Sequence, residues 1–181
     1  MHLIYKLAVN CLPVVHQTKL NTLLNCFSHD VECTYDVKTY SYAYVCQDNR
    51  QYIAVLLVNE VNDDNTKTEN VHEVVTLCVD PKHRKNGYAK QLLQEFITNL
   101  PHDATAVVHL NATVPAYESR RQFFDWFGFK TMQSDSTDKI VQMQLSSEAC
   151  VALWYCIRRK VWSQAMQQNV MFIPALIFNL L

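Results

Sequence analysis

The stretch Val79-Asp-Pro-Lys-His-Arg-Lys-Asn-Gly-Tyr-Ala89, with the apolar segment after it, decides the fold. The chain has only two glycines in 181 residues, against about 13 at an average usage of about 7 %. One of them, Gly87, sits in this stretch, where a side chain would obstruct something or where φ must be positive. Upstream, Val71-His-Glu-Val-Val-Thr-Leu-Cys-Val79 is rich in β-branched residues and predicts a strand. Downstream, Ala89, Leu92, Leu93, Phe96, Ile97 and Leu100 form one stripe of an amphipathic helix. Strand, short basic loop with glycine, and helix together aim backbone N–H groups and the positive end of a helix dipole at one spot. The expected feature is an anion site, and phosphate is the anion that suits it.

The loop carries neither G-x-x-x-x-G-K-[ST] nor G-x-G-x-x-G. What stands there is Arg84-Lys-Asn-Gly-Tyr-Ala89, an R-x-x-G-x-A pattern preceded by Val79-Asp-Pro81. This pattern resembles the pyrophosphate-binding motif of the GNAT superfamily, the acyl-CoA-dependent N-acyltransferases. The second glycine, Gly128, lies in Phe123-Phe-Asp-Trp-Phe-Gly-Phe129, which resembles the family's second motif, an aromatic helix ending in Gly-Phe. The resemblance covers about residues 1–146. It implies an α/β fold of the α+β kind: a central, mostly antiparallel mixed sheet flanked by helices.

Composition agrees with one domain and a small extension. Hydrophobic residues make up 49 % of the chain, enough for a sizeable core, and the net charge of −1 gives no electrostatic ground for binding nucleic acid or an anionic membrane. Seven cysteines, odd in number and never in C-x-x-C, suit reduced thiols in a cytoplasmic or nuclear setting better than a disulfide framework or zinc site. No metal is expected. Met1–Lys6 is not followed by the long apolar region of a signal peptide, so secretion is not expected. Asn111-Ala-Thr113 matches the glycosylation acceptor pattern, a short match that arises readily by chance.

In chain order, residues 2–9 read as a first strand, and Pro13 opens a helix with Leu20, Leu23, Leu24 and Phe27 on one face. Residues 28–38 carry no assignable pattern. Tyr40, Tyr42 and Tyr44 alternate as in a strand, Gln51–Glu60 is the next, and Gln47-Asp-Asn-Arg50 links them as a hairpin. Asn62–Asn70 is a solvated loop whose acidic residues lack EF-hand spacing. After the central strand, loop and helix come a strand over Ala104–Asn111, a helix from Pro115 stopped by Gly128, and a last strand over Asp138–Leu145. Residues 1–146 are thus expected to form the domain and 147–181 an apolar helical extension. Within the extension, Cys150, Leu153, Trp154, Ile157, Val161 and Ala165 make a helical stripe, with Arg158-Arg-Lys160 outside it. The apolar run Val170–Leu181 is only 12 residues, short of the roughly 20 a membrane span requires. Packing on the domain, or on a second copy in a homodimer, is expected; interfacial membrane contact through the tryptophans and the basic cluster is the alternative.

The resemblance implies transfer of an acetyl group from acetyl-CoA to a primary amine of a protein or small molecule. The alternative is a degenerate domain that binds CoA or a protein partner without turnover. The implied pyrophosphate cradle is Arg84, Lys85, Asn86, Gly87, Tyr88 and Ala89. Leu77, Cys78 and Val79 are the implied backbone partners of the pantetheine arm, on a strand that splays from the next one, where a backbone N–H can also serve an oxyanion. Phe124 stands where many members place a tyrosine that protonates the leaving thiolate, so no hydroxyl acts from it. An alkylamine of pKa about 10.4 must lose a proton before it attacks. Glu73, His72, His109 and Tyr117 are the candidate acceptors. Glu73, six residues before Val79, matches the place where related members carry a glutamate base, and is the expected general base. No histidine partner is legible for Cys78 as a nucleophile. The acceptor amine would be contacted by residues 13–38 and 133–138, which carry no readable motif.

Overall fold

A computed structural model describes residues 2–25, 39–61, 70–132 and 139–167. Phe27, residues 28–38, most of the acidic loop after Val61, residues 133–138 and the apolar run Val170–Leu181 lie outside the described residues.

The strands are β1 (Leu3–Ala8), β2 (Tyr42–Asp48), β3 (Gln51–Val61), β4 (Asn70–Val79), β5 (Ala104–Asn111), β6 (Lys130–Thr131) and β7 (Ile140–Leu145). The helices are α1 (Val14–Asn25), α2 (Tyr88–Thr98), α3 (Tyr117–Trp126) and α4 (Ser147–Gln167). The strands form one sheet in the order β1-β2-β3-β4-β5-β7-β6. Among the described residues only β4 and β5 pair in parallel, because α2 carries the chain back between them. The mixed, mostly antiparallel sheet expected from the sequence is therefore present. The elements differ from the sequence reading in several places: β2 starts at Tyr42, leaving out Tyr40, and runs through Gln47 and Asp48 of the expected link; α3 starts at Tyr117, two residues after Pro115; and the two-residue β6 has no counterpart.

The β2–β3 hairpin turns on Asn49 and Arg50, both at positive φ (45° and 66°). Two successive left-handed residues make a turn whose twist matches the strands it joins. One sheet face packs against α2, burying Leu92, Leu93, Phe96 and Ile97 with Tyr44, Leu56 and Met143. The other face packs under α1 through Leu20, Leu23 and Leu24 with Val45, Val55 and Leu57. Helix α4 lies against α2 and β5, and its Cys150 is 3 % exposed, so its first turns share the core of the domain. No helix among the described residues is long and apolar enough to cross a membrane.

The β3–β4 pairing is interrupted once. Leu57 pairs with Thr76 but Val58 pairs with Val74, so Val75 is an extra residue, a β-bulge. The bulge resets the alternation along β4. Val74, Leu77 and Val79 pack on the α2 side, whereas Cys78 packs on the α1 side.

Helix α3 ends in a left-handed cap. Gly128 has φ +86°, its N–H donates to the Asp125 carbonyl at 2.8 Å, and the Phe129 N–H donates to the Phe124 carbonyl at 3.2 Å. A Cβ at Gly128 would rest 3.4 Å from Leu145 Cδ1, so alanine fits the space and opposes only the backbone conformation. Gly128→Ala should cost about 1–2 kcal/mol and lower the melting temperature by about 2–8 °C in calorimetry. A second check uses pH. Burial raises the Cys150 thiol from 9.0 to about 11, so between those values the unfolded chain sheds a proton that the folded chain keeps. Stability is thus fully held below about pH 9 and falls above it, by up to about 1.4 kcal/mol per pH unit. Urea titrations from about pH 8.5 to 11 should show a shallower decline for Cys150→Ala than for the unsubstituted chain.

Candidate active site

The loop before α2 is built by its own side chains. Asp80 Oδ1 accepts the Lys82 N–H at 3.0 Å, and Pro81 opens a single helical turn over Pro81–His83. Arg84 Nε donates to the Val79 carbonyl at 3.3 Å, and Asn86 Nδ2 donates to the His83 carbonyl at 3.1 Å. Lys85 (φ 65°) and Gly87 (φ 80°, ψ 5°) then turn the chain into the helix. No side chain caps α2, whose first intrahelical bond among these residues runs from the Gln91 N–H to the Gly87 carbonyl at 3.0 Å. The amides of Tyr88, Ala89 and Lys90 therefore stand at the positive end of the helix without intrahelical acceptors.

These residues form one end of a cleft of about 860 Å³. Arg84, Lys85, Lys90 and Arg120 place four cationic side chains along its lining. A Cβ at Gly87 would meet nothing within 4 Å. The glycine thus meets a conformational need and leaves open room beside the uncapped amides. A diphosphate suits this donor set: free amide N–H groups at a helix start, a helix dipole and long cationic side chains along the lining of the same cleft.

The rest of the cleft lies where β4 and β5 part. Their pairing runs from Asn70↔Ala104 to Val74↔Val108 and ends there, while β4 continues to Val79 beside β3. The Asp80 N–H donates to the Ile53 carbonyl at 2.8 Å. This fixes the phase of the pair: peptide groups of Cys78 and Thr76 face β3, and those of Leu77 and Val79 face the parting. Cys78 is among the residues that line the cleft. Burial pushes its thiol up to about 12, against the lowering influence of Arg120 and Arg84. It therefore stays protonated at neutral pH, and a protonated thiol is a poor nucleophile. Phe124 and Phe123 close the wall opposite, with rings 5.4 Å apart edge to face.

Of the residues singled out in the sequence, Leu77, Cys78, Val79, Arg84, Lys85, Gly87, Tyr88, Ala89 and Phe124 line the cleft. Asn86 and Glu73 are not among its lining residues. Asn86 instead braces the loop. Glu73 Oε1 stands 3.0 Å from Nδ1 of His109, and it is His109 that lines the cleft. His72 is buried, bonded through Nδ1 to the Tyr42 hydroxyl at 2.8 Å, and burial lowers its pKa. Neither His72 nor Tyr117 lines the cleft. A tie absent from the sequence reading holds the loop from behind: the Tyr88 hydroxyl bonds His2 Nε2 at 2.8 Å, and His2 Nδ1 lies 3.6 Å from Asp48. No local sequence signal connects residues that far apart.

Comparison with known proteins gives these features a common context. The family model described as "Acetyltransferase (GNAT) family" matches residues 1–129. No curated protein sequence matches. Among solved structures, an acyl-CoA N-acyltransferase from Pseudomonas aeruginosa superposes with a TM-score of 0.61 at 13 % identity, over 80 % of this chain and 99 % of that one. The ribosomal-protein-S18-alanine N-acetyltransferase of Escherichia coli superposes at 0.55 with 14 % identity, over 80 % of this chain and 91 % of that one. Arabidopsis thaliana Naa50, solved with the bisubstrate analogue CoA-Ac-MVNAL, superposes at 0.56 with 11 % identity, over 78 % and 96 %. At these identities the structures show a shared fold. With the family match spanning well over half its length, the chain belongs to the GNAT acetyltransferase family.

Proposed function

We propose that the protein transfers an acetyl group from acetyl-CoA to a primary amine by direct attack of the amine on the thioester. The observation that carries this reading is the joining of two features in one cleft. A parted strand pair with peptide groups turned to the gap runs into an uncapped, cation-rimmed helix start. A pantetheine arm offers amides to Leu77 and Val79, and a diphosphate offers charge to the Tyr88–Lys90 amides, Arg84 and Lys85.

In the reaction, the C–N bond forms as the tetrahedral adduct is made, and the C–S bond breaks on its collapse. The ammonium must first yield a proton, and the Glu73–His109 pair at the cleft supplies the acceptor. The raised Cys78 thiol supports direct attack over an acyl-cysteine intermediate. Phe124 offers no hydroxyl to the departing sulfur. A thiolate is a good enough leaving group to go unaided, yet the same residue is what favours the second reading, CoA binding without turnover.

The E. coli and Arabidopsis neighbours make peptide amines the first acceptors to try. Thiol release from acetyl-CoA should appear with at least one member of a panel of peptide, polyamine and small alkylamine acceptors. Tight CoA binding with no release across that panel supports the second reading. Calorimetric titration should also show CoA binding weakened at least about tenfold, or about 1.4 kcal/mol, in Gly87→Glu. The new carboxylate sets like charge beside the diphosphate and demands a left-handed backbone of a side-chain-bearing residue. Unchanged affinity in a folded variant would remove the diphosphate assignment.

A further inference from the structure

We propose that His109, rather than Glu73, takes the proton from the acceptor amine, and that Glu73 is the positioning residue that holds the imidazole ready to do so. This rests on the acyl-transfer reading above. Three observations carry it. First, His109 lines the cleft and Glu73 does not. Second, the last paired residues of the parallel strands are Val74 and Val108, so His109 is the first residue of β5 beyond the pairing, at the apex where the strands part. Glu73 lies one residue before that point, within the paired stretch. Third, Glu73 pairs with Val107, two residues before His109, so the two side chains project from the same sheet face and meet at 3.0 Å.

The roles follow from donor chemistry. An ionised carboxylate only accepts hydrogen bonds, so Nδ1 of His109 must donate to it. A neutral imidazole with its proton on Nδ1 keeps its lone pair on Nε2, the ring atom away from Glu73. Nε2 takes one proton from R–NH3⁺, and the freed amine attacks the carbonyl carbon of the thioester. The C–N bond forms, and the C–S bond breaks with its electron pair leaving on sulfur. The proton shed by the amide nitrogen neutralises the thiolate, and the imidazolium returns its own to water. Glu73 also stabilises that imidazolium while it lasts.

A double-mutant cycle on the full chain decides between the two assignments. With saturating acetyl-CoA and amine, His109→Ala should lower kcat about 10²–10³-fold, and Glu73→Ala about 10–100-fold. Because Glu73 acts only through the ring, the double variant should match His109→Ala within about threefold. CoA affinity by calorimetry should be unchanged in all three, which also verifies that they fold. A further loss beyond about threefold in the double variant, or a smaller loss in His109→Ala than in Glu73→Ala, would overturn the proposal and return the base to Glu73. The second readout needs neither turnover nor a variant. Nitrogen-15 NMR of the neutral imidazole should place the His109 proton on Nδ1, and a proton on Nε2 overturns the assignment equally. Should CoA bind while no amine is acetylated, the acyl-transfer reading falls, and with it the proton transfer; the tautomer then reports only whether Glu73 orients the ring.

Discussion

Beyond Val74 and Val108, two neighbouring strands at the centre of a sheet run on without bonding each other. Peptide groups in the interior of a protein require partners, and those of Leu77 and Val79 are given none by β5. The Val79 carbonyl is partly served by Arg84, which folds back from the loop. What keeps the strands apart is packing on either side. Bonding to β3 holds β4 straight on, while β7 bonds β5 through Asn111 and takes it the other way. Phe123 and Phe124 of α3 then line the gap.

The candidate site is laid out along that gap. At the far end of β4, Asp80 and Pro81 turn the chain so that α2 starts beside the opening, its uncapped amides at the cleft. At the near end, the apex brings a histidine of one strand against a carboxylate of the other. The bulge at Val75 links the two ends. It leaves Glu73 on the α1 side of the sheet, and beyond it swings Leu77 and Val79 to the α2 side.

Much of this was legible in the sequence because it is local. The helical stripe from Leu92 to Ile97, the glycine before α2 and the Gly-Phe end of α3 each depend on residues within a few positions of one another. The structure places all of them as read. The parts that escaped depend on register. Whether residue 73 or residue 109 reaches the cleft is set by how far two parallel strands pair before they part, and pairing distance leaves no mark on either strand alone. The resemblance already implies a bulge in β4 that can reset its alternation, but no glycine marks the place, and it is the register with β3 that puts it at Val75. Asn86 sits inside the matched loop pattern yet turns its side chain back to the His83 carbonyl, a detail of turn geometry that spacing does not convey.

The scarcity of glycine bears on the unfolded chain as well. Each residue that carries a Cβ samples fewer backbone states than glycine, and where the native conformation tolerates it that difference favours folding by about 0.4–1 kcal/mol. A chain this poor in glycine has less disorder to surrender. The compensating strain is concentrated where the backbone must still enter left-handed space. Asn49 and Arg50 bear it in the β2–β3 turn, and Lys85 bears it in the loop ahead of α2. Asparagine tolerates that region better than most residues, whereas a long cationic side chain at about 1–2 kcal/mol does not. Lys85 therefore stores conformational energy at the rim of the cleft, in the loop that shapes its mouth.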